Sequence, residues 1–201
     1  MVFDMKGIDL SRLALYSVGD HSASPEDHFV EIYEDDSSLI DSLRTFVAIG
    51  INDGEAAIVV ADPAHLAALG KVLDASFDLD DARQRGLYLG LDAEETLASF
   101  IEHGMPNEKK FNDVLDGLFD RVTSAGGKVR IFGEMVSVLW ERGDVSAAIA
   151  LEDLWNRLAE RHSFSLFCAY RAAAFDGVDE GSLGAVISRH SHVILAPAEG
   201  S

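Results

Sequence analysis

Phe29-Val30-Glu31-Ile32-Tyr33, the turn Glu34-Asp35-Asp36-Ser37-Ser38, a run with Leu39, Ile40, Leu43, Phe46 and Val47, then Asn52-Asp53-Gly54 and Ala56-Ala57-Ile58-Val59-Val60: this stretch decides the fold. Its first piece reads as a short strand. Asp35 and Asp36 can cap the helix that follows, whose apolar residues recur at the spacing of one helical face. That helix is expected to stop near Gly50. Ala56 to Val60 are apolar without interruption, the mark of a strand buried on both faces. Strand, helix and buried strand in that order predict a parallel βαβ unit.

The alternation continues outward. Asp62-Pro63 reads as the cap and first-turn proline of a helix through Leu66, Leu69 and Leu73. Leu87 to Leu89 reads as a strand. Asp92 with Glu95 opens a helix expected to end near Gly104. Asn107 can cap another helix, carrying Phe111, Val114, Leu115, Leu118, Phe119 and Val122 and closed by Gly126-Gly127. Val129 to Phe132 reads as a strand and Phe164 to Tyr170 as the last clear one. Between them Asp144 opens a long helix with Ala147, Ala148, Leu151, Leu154, Trp155 and Leu158 on its apolar arc. The expected fold is therefore α/β, three-layered, with a mostly parallel sheet and helices on both faces. Residues 1–25, with a short amphipathic piece at Ile8, Leu10, Leu13 and Leu15, read as a partly flexible leader. The folded domain is expected over 26–195, with a flexible tail at 196–201.

Composition narrows the function. The chain has 201 residues, with 35 Asp plus Glu against 16 Lys plus Arg and a net charge of −19. So acidic a surface repels phosphate backbones and anionic lipid, so no direct nucleic-acid or membrane partner is expected. No apolar stretch is long enough to span a bilayer, and no signal pattern opens the chain, which predicts a cytoplasmic protein. A single cysteine, Cys168, excludes an internal disulfide and any zinc cage made of cysteines.

Ligands of parallel sheets sit beyond the carboxyl ends of the strands. That rule nominates Glu34 to Asp36, Asp62, Gly133 to Met135, and Arg171. The first turn, Tyr33 to Ser38, has no glycine and no lysine but three carboxylates, so it cannot cradle a polyphosphate. Glu134 follows a strand and lies among apolar residues, which is costly unless it is paired or used. It is a ligand-facing acid, a hydrogen-bond acceptor for a neutral polar ligand, or half of a salt bridge to Arg130 or Arg171. Glu152 and Asn156, four apart, share one helix side, Glu152 at the edge of the apolar arc and Asn156 one step further out; they could anchor the neighbouring strand or close a pocket, but a solvated edge is the more ordinary role. His190 and His192 would face one side if their segment is extended, with His28, Cys168 or Glu134 as a third metal ligand. Surface or capping roles are more ordinary, so no metal site and no cofactor are expected. Cys168, inside a strand, reads as inert packing. No nucleophile elbow, zinc-protease helix or dinucleotide fingerprint occurs.

Six segments in order resemble a known family. They are His28-Phe29-Val30-Glu31-Ile32-Tyr33 before the acidic turn; Phe46 and Gly50 leading to Asp53-Gly54-Glu55; Arg130-Ile131-Phe132-Gly133-Glu134-Met135; Glu152 with Leu154-Trp155-Asn156; Leu166-Phe167-Cys168-Ala169-Tyr170; and His190-Ser191-His192-Val193. Together they resemble the MEDS domain, the methanogen/methylotroph DcmR-type sensory domain, over roughly 26–195. The resemblance implies a degenerate relative of KaiC/RecA-type ATPases that has lost its phosphate loop, with Glu134 where the metal-associated acid of those enzymes would stand. It also implies a sensory role with hydrocarbon derivatives as ligands, and a link to DNA-binding or histidine-kinase modules. The 201 residues leave no room for such modules, so output is expected to pass through a signalling partner, a histidine kinase or transcription regulator, or through a homo-oligomer.

The function expected on these grounds is a non-enzymatic sensory module for a small, largely apolar ligand. Its binding residues would be His28, Tyr33, Glu134, Trp140, Cys168 and Tyr170, supported by Arg130, Glu152, Asn156, His190 and His192. Two alternatives stand beside it: an atypical nucleotide hydrolase using Glu134 to activate water, and a ligand-free protein-interaction module.

Overall fold

A computed structural model of the chain describes residues 14–16, 27–123, 128–176 and 180–194. Along these, the strands and helices are β1 (Ala14–Tyr16), β2 (His28–Tyr33), α1 (Asp36–Asn52), β3 (Ala56–Ala61), α2 (Pro63–Asp74), α3 (Leu79–Gln84), β4 (Tyr88–Asp92), α4 (Ala93–Ala98), β5 (Ile101–Glu102), β6 (Met105–Pro106), α5 (Glu108–Thr123), β7 (Val129–Gly133), α6 (Met135–Glu141), α7 (Val145–Ala159), β8 (Phe164–Arg171), α8 (Glu180–Ile187) and β9 (His192–Ile194). Seven strands form one sheet in the order β1-β9-β2-β8-β7-β3-β4, and every pairing in it is parallel. The expected α/β layering is what the chain adopts.

The two faces hold two cores. One face packs Phe29, Tyr33, Val59, Phe132 and Phe167 against α1, α2 and α3. The other packs Val30, Ile58, Ile131 and Tyr170 against α4 to α8. This division follows from handedness. The steps β2→β3→β4 move one way along the sheet and the steps from β4 back to β7, β8 and β9 move the other way; right-handed crossovers then place the two sets of helices on opposite faces. The direction reverses between β2 and β8 and between β7 and β3. At these two seams the loops diverge to opposite faces and leave a crevice beyond the carboxyl ends.

Local chemistry sets most helix starts as read from sequence. Asp35 accepts the Ser38 N–H, Asp62 the Ala64 N–H and Asp92 the Glu95 N–H, each bond worth about 1 kcal/mol. Asn107 likewise accepts the Lys110 N–H at the start of α5. The helix expected to run to Gly104 stops at Ala98 instead. Beyond Ser99, His103 and Gly104 have φ 51° and 78°, the left-handed pair of a tight hairpin turn joining β5 to β6. Phe100 drops into the core against Phe111. Residues Ala14–Tyr16, read as part of a leader, form the edge strand beside β9. The remaining leader residues, the Gly126-Gly127 stop and the 196–201 tail lie outside the described residues.

Candidate functional site

Two polar clusters lie in this framework, and the candidate site residues divide between them. The first spans the crevices at the carboxyl edge. Glu134 ends β7 and precedes α6. Its Oε2 accepts the Asp62 N–H at 2.7 Å, and its Oε1 lies 2.6 Å from His65 Nδ1. The other ring nitrogen of His65 is 3.4 Å from Asp36 Oδ1, and Asp36 accepts from Arg171 Nη2 at 2.7 Å. The Arg171 guanidinium lies over the Tyr33 ring, 5.1 Å from its centroid. Glu134 thus meets neither of the arginines expected for it. Arg171 belongs to Asp36, while Arg130 lies at the other end of the strand, buried and bonded to Glu55.

The hydrogen bond that His65 donates to Glu134 raises the imidazole pKa, opposed by burial and helped by the charges of Glu134 and Asp36. The Arg171 bond holds Asp36 below the usual carboxylate range. His65 is the functional residue that sequence reading missed. It sits three residues after the Asp62 cap on the first turn of α2, so extending the strand-end rule by one turn would have found it.

Beside this network an open groove of about 410 Å³ is lined by Trp140, Glu141, Gly143, Val145, Arg171, Ala173 and Ala174. Trp140 is 3% exposed; its Nε1–H donates to the Ala174 carbonyl at 3.0 Å, and its ring packs on Tyr170 and Phe175.

The second cluster is buried under α7 on the face opposite α1. Tyr170 Oη donates to Glu152 Oε1 at 2.6 Å. Glu152 Oε2 is 3.4 Å from His28 Nε2 and 3.6 Å from Cys168 Sγ, and His28 Nε2 is 3.4 Å from Cys168 Sγ. His190 completes the group, its Nε2 3.5 Å from Glu152 Oε1. The donor atoms of His28, Glu152, Cys168 and His190 all lie within 4.8 Å of one another. Asn156 Oδ1 meets His28 Nδ1 at 3.0 Å. Burial pushes the Cys168 thiol pKa up and drives His190 down to about 3.

Three expectations are corrected here. Glu152 is not at a solvated edge: it has no exposed surface, because β8 and the segment before β9 close over that side of α7. His190 and His192 do not face one side. The chain is not extended at His190, whose ring packs tilted against His28 with centroids 4.0 Å apart, whereas His192 packs on Phe29 of the other core. Finally, the six proposed binding residues cannot touch one small molecule. His28 and Tyr33 are five residues apart on one strand, roughly 16 Å, and point to opposite faces. Glu134 is turned toward α2, away from Cys168 and His28. Tyr170 belongs to the buried cluster, Trp140 packs on it and lines the groove, and Arg130 belongs to neither cluster.

The model of the MEthanogen/methylotroph, DcmR Sensory domain, MEDS, matches residues 27–190. The chain belongs to the MEDS family. The matched span opens one residue before His28 and closes on His190, so the whole buried cluster lies inside it, as do both crevices. MEDS is a sensory family. No curated protein matches the chain. Among the described residues of this MEDS chain, no helix is long and apolar enough to cross a membrane.

Proposed function

We propose that this MEDS chain is a non-enzymatic sensory module that takes a small, largely apolar molecule into the groove beside Trp140 and passes the state of that groove to a partner protein. The observation that carries the reading is the lining. Trp140, Gly143, Val145, Ala173 and Ala174 make apolar walls, and Glu141 and Arg171 supply charge at the rim. An apolar pocket with few polar groups suits a short hydrocarbon derivative such as an alcohol or haloalkane. A signalling partner, a histidine kinase or transcription regulator, reads the altered surface as a shift between pre-existing states.

The nucleotide-hydrolase alternative draws no support from the first turn or from Glu134. At the α1 N-terminus, where a phosphate would need free N–H groups, Asp35 already accepts the Ser38 N–H. Both oxygens of Glu134 are taken by Asp62 and His65.

Calorimetric titration with short alcohols and haloalkanes tests the proposal. Binding heat is expected for the wild type and none for Ala173→Trp, which fills the groove from an exposed position and leaves circular dichroism unchanged. Absence of heat across the whole ligand series overturns the ligand reading. A partner captured equally by the wild type and Ala173→Trp would favour the ligand-free interaction module.

A further inference from the structure

The buried cluster under α7 is independent of the groove, and its atoms are arranged in a way that hydrogen bonding does not account for. Asn156 Nδ2 donates to the Arg189 carbonyl at 3.1 Å, which fixes the amide and leaves Oδ1 facing His28. An amide oxygen can only accept, so His28 Nδ1 carries the hydrogen and Nε2 presents its lone pair inward. His190 repeats the arrangement: Nδ1 donates to the Val186 carbonyl at 2.8 Å. Its Nε2, fully buried, has no hydrogen-bond partner although Glu152 Oε1 is 3.5 Å away.

Two imidazole nitrogens and a carboxylate therefore converge, and the only donor offered to them from within the group is the Cys168 thiol, since Tyr170 is spent on the other carboxylate oxygen. The 3.4 Å between His28 Nε2 and Glu152 Oε2 is too long for an N–H···O bond. It is the right length for two atoms bound to one ion. Tetrahedral zinc, with bonds of about 2.0–2.3 Å, sets its ligand atoms roughly 3.3–3.7 Å apart. The triangle of His28 Nε2, Cys168 Sγ and Glu152 Oε2 has sides of 3.4, 3.6 and 3.4 Å.

We infer that His28, Glu152, Cys168 and His190 form a binding site for one divalent zinc ion. The donor set fits the ion: two neutral imidazoles, one thiolate and one carboxylate suit a borderline-soft metal and not magnesium or calcium. Charge fits too. Thiolate and carboxylate together neutralise a divalent cation, so the loaded site carries no net charge into the core. Outside the ligands, Asn156 and the Val186 carbonyl orient the two imidazoles, as partners of metal-bound histidines do. The rival occupant is a proton on one imidazole, which would hold the carboxylate without any metal.

The full chain tests this directly. Metal content is measured as purified; the chain is then stripped with chelator and titrated with Zn²⁺, with Co²⁺ as a spectroscopic probe and Mg²⁺ as a hard-ion control. The expected result is one Zn²⁺ or Co²⁺ per chain and no Mg²⁺. The Co²⁺ form should show tetrahedral visible bands and a thiolate-to-cobalt charge-transfer band, lost in Cys168→Ser. Asn156→Ala should keep the ion but bind it about 10–100-fold more weakly. His190→Gln serves where Cys168→Ser fails to fold, and should change the visible bands while keeping the charge transfer. A folded wild-type chain that takes up neither Zn²⁺ nor Co²⁺ overturns the assignment in favour of the proton. So does Co²⁺ binding with no charge-transfer band.

Discussion

Glu134 and Glu152 both meet a histidine at a sheet face, yet their surroundings differ in kind. Around Glu134 each oxygen has a donor: the Asp62 N–H and the His65 ring take the two oxygens, and His65 passes on to Asp36 and Arg171 at the surface. Around Glu152 the acceptors outnumber the donors among the described residues, and His190 Nε2 has no hydrogen-bond partner. Similar residue types thus make a closed electrostatic chain in one place and a convergent set of metal-ligand atoms in the other. What separates them is the direction of lone pairs, which composition does not record.

Substitutions can sharpen that contrast. Glu152→Ala should be the most damaging, costing about 3–5 kcal/mol in denaturant unfolding, since it strands the Tyr170 hydroxyl and two imidazoles in the core. A loss under 1 kcal/mol would show that the cluster is not a structural centre.

Glu31 provides a third case, a buried carboxylate with no imidazole beside it, where only the Ser42 side chain works against the cost of burial. Burial raises it from 4.5 to about 7. Between those values the native chain holds a proton that the unfolded chain has released, so stability falls as pH rises through the window. Glu31→Gln should remove that fall and add a few kcal/mol above pH 7, read as a denaturation midpoint that drops less than the wild type's between pH 4.5 and 7.

His65→Ala is the mildest. The raised histidine lends stability that is complete below its ordinary 6.5 and fades as pH climbs through the folded value. The wild-type advantage should be roughly 1–2 kcal/mol on the acid side and shrink toward alkaline pH. A difference that grows with pH would contradict the pairing with Glu134.

Long elements were legible because their periods are long. The α1 face and the all-buried β3 needed nothing beyond the apolar pattern and an aspartate cap. Short pieces escaped. α6 has seven residues with Met135, Val136, Leu139 and Trp140 all buried, so no polar face marks its period, and three-residue β9 is too brief to show alternation. In the site, Glu134 could be singled out as an acid stranded at a strand end. Its partner His65 lies 69 residues away, a pairing only the crossover of α2 brings about. Glu152 was misjudged for a related reason: a helical wheel assigns it to the margin of α7, and only the return of the chain at His190 closes over it.

The Trp140 indole joins two walls of the groove. Its N–H donates to the Ala174 carbonyl, and both residues line the groove, so one hydrogen bond ties α6 to the segment after β8 at that wall. Such a clasp costs only about 1 kcal/mol to release. A guest slightly too wide for the resting slot would therefore meet a yielding hinge point, and tryptophan emission would signal its arrival.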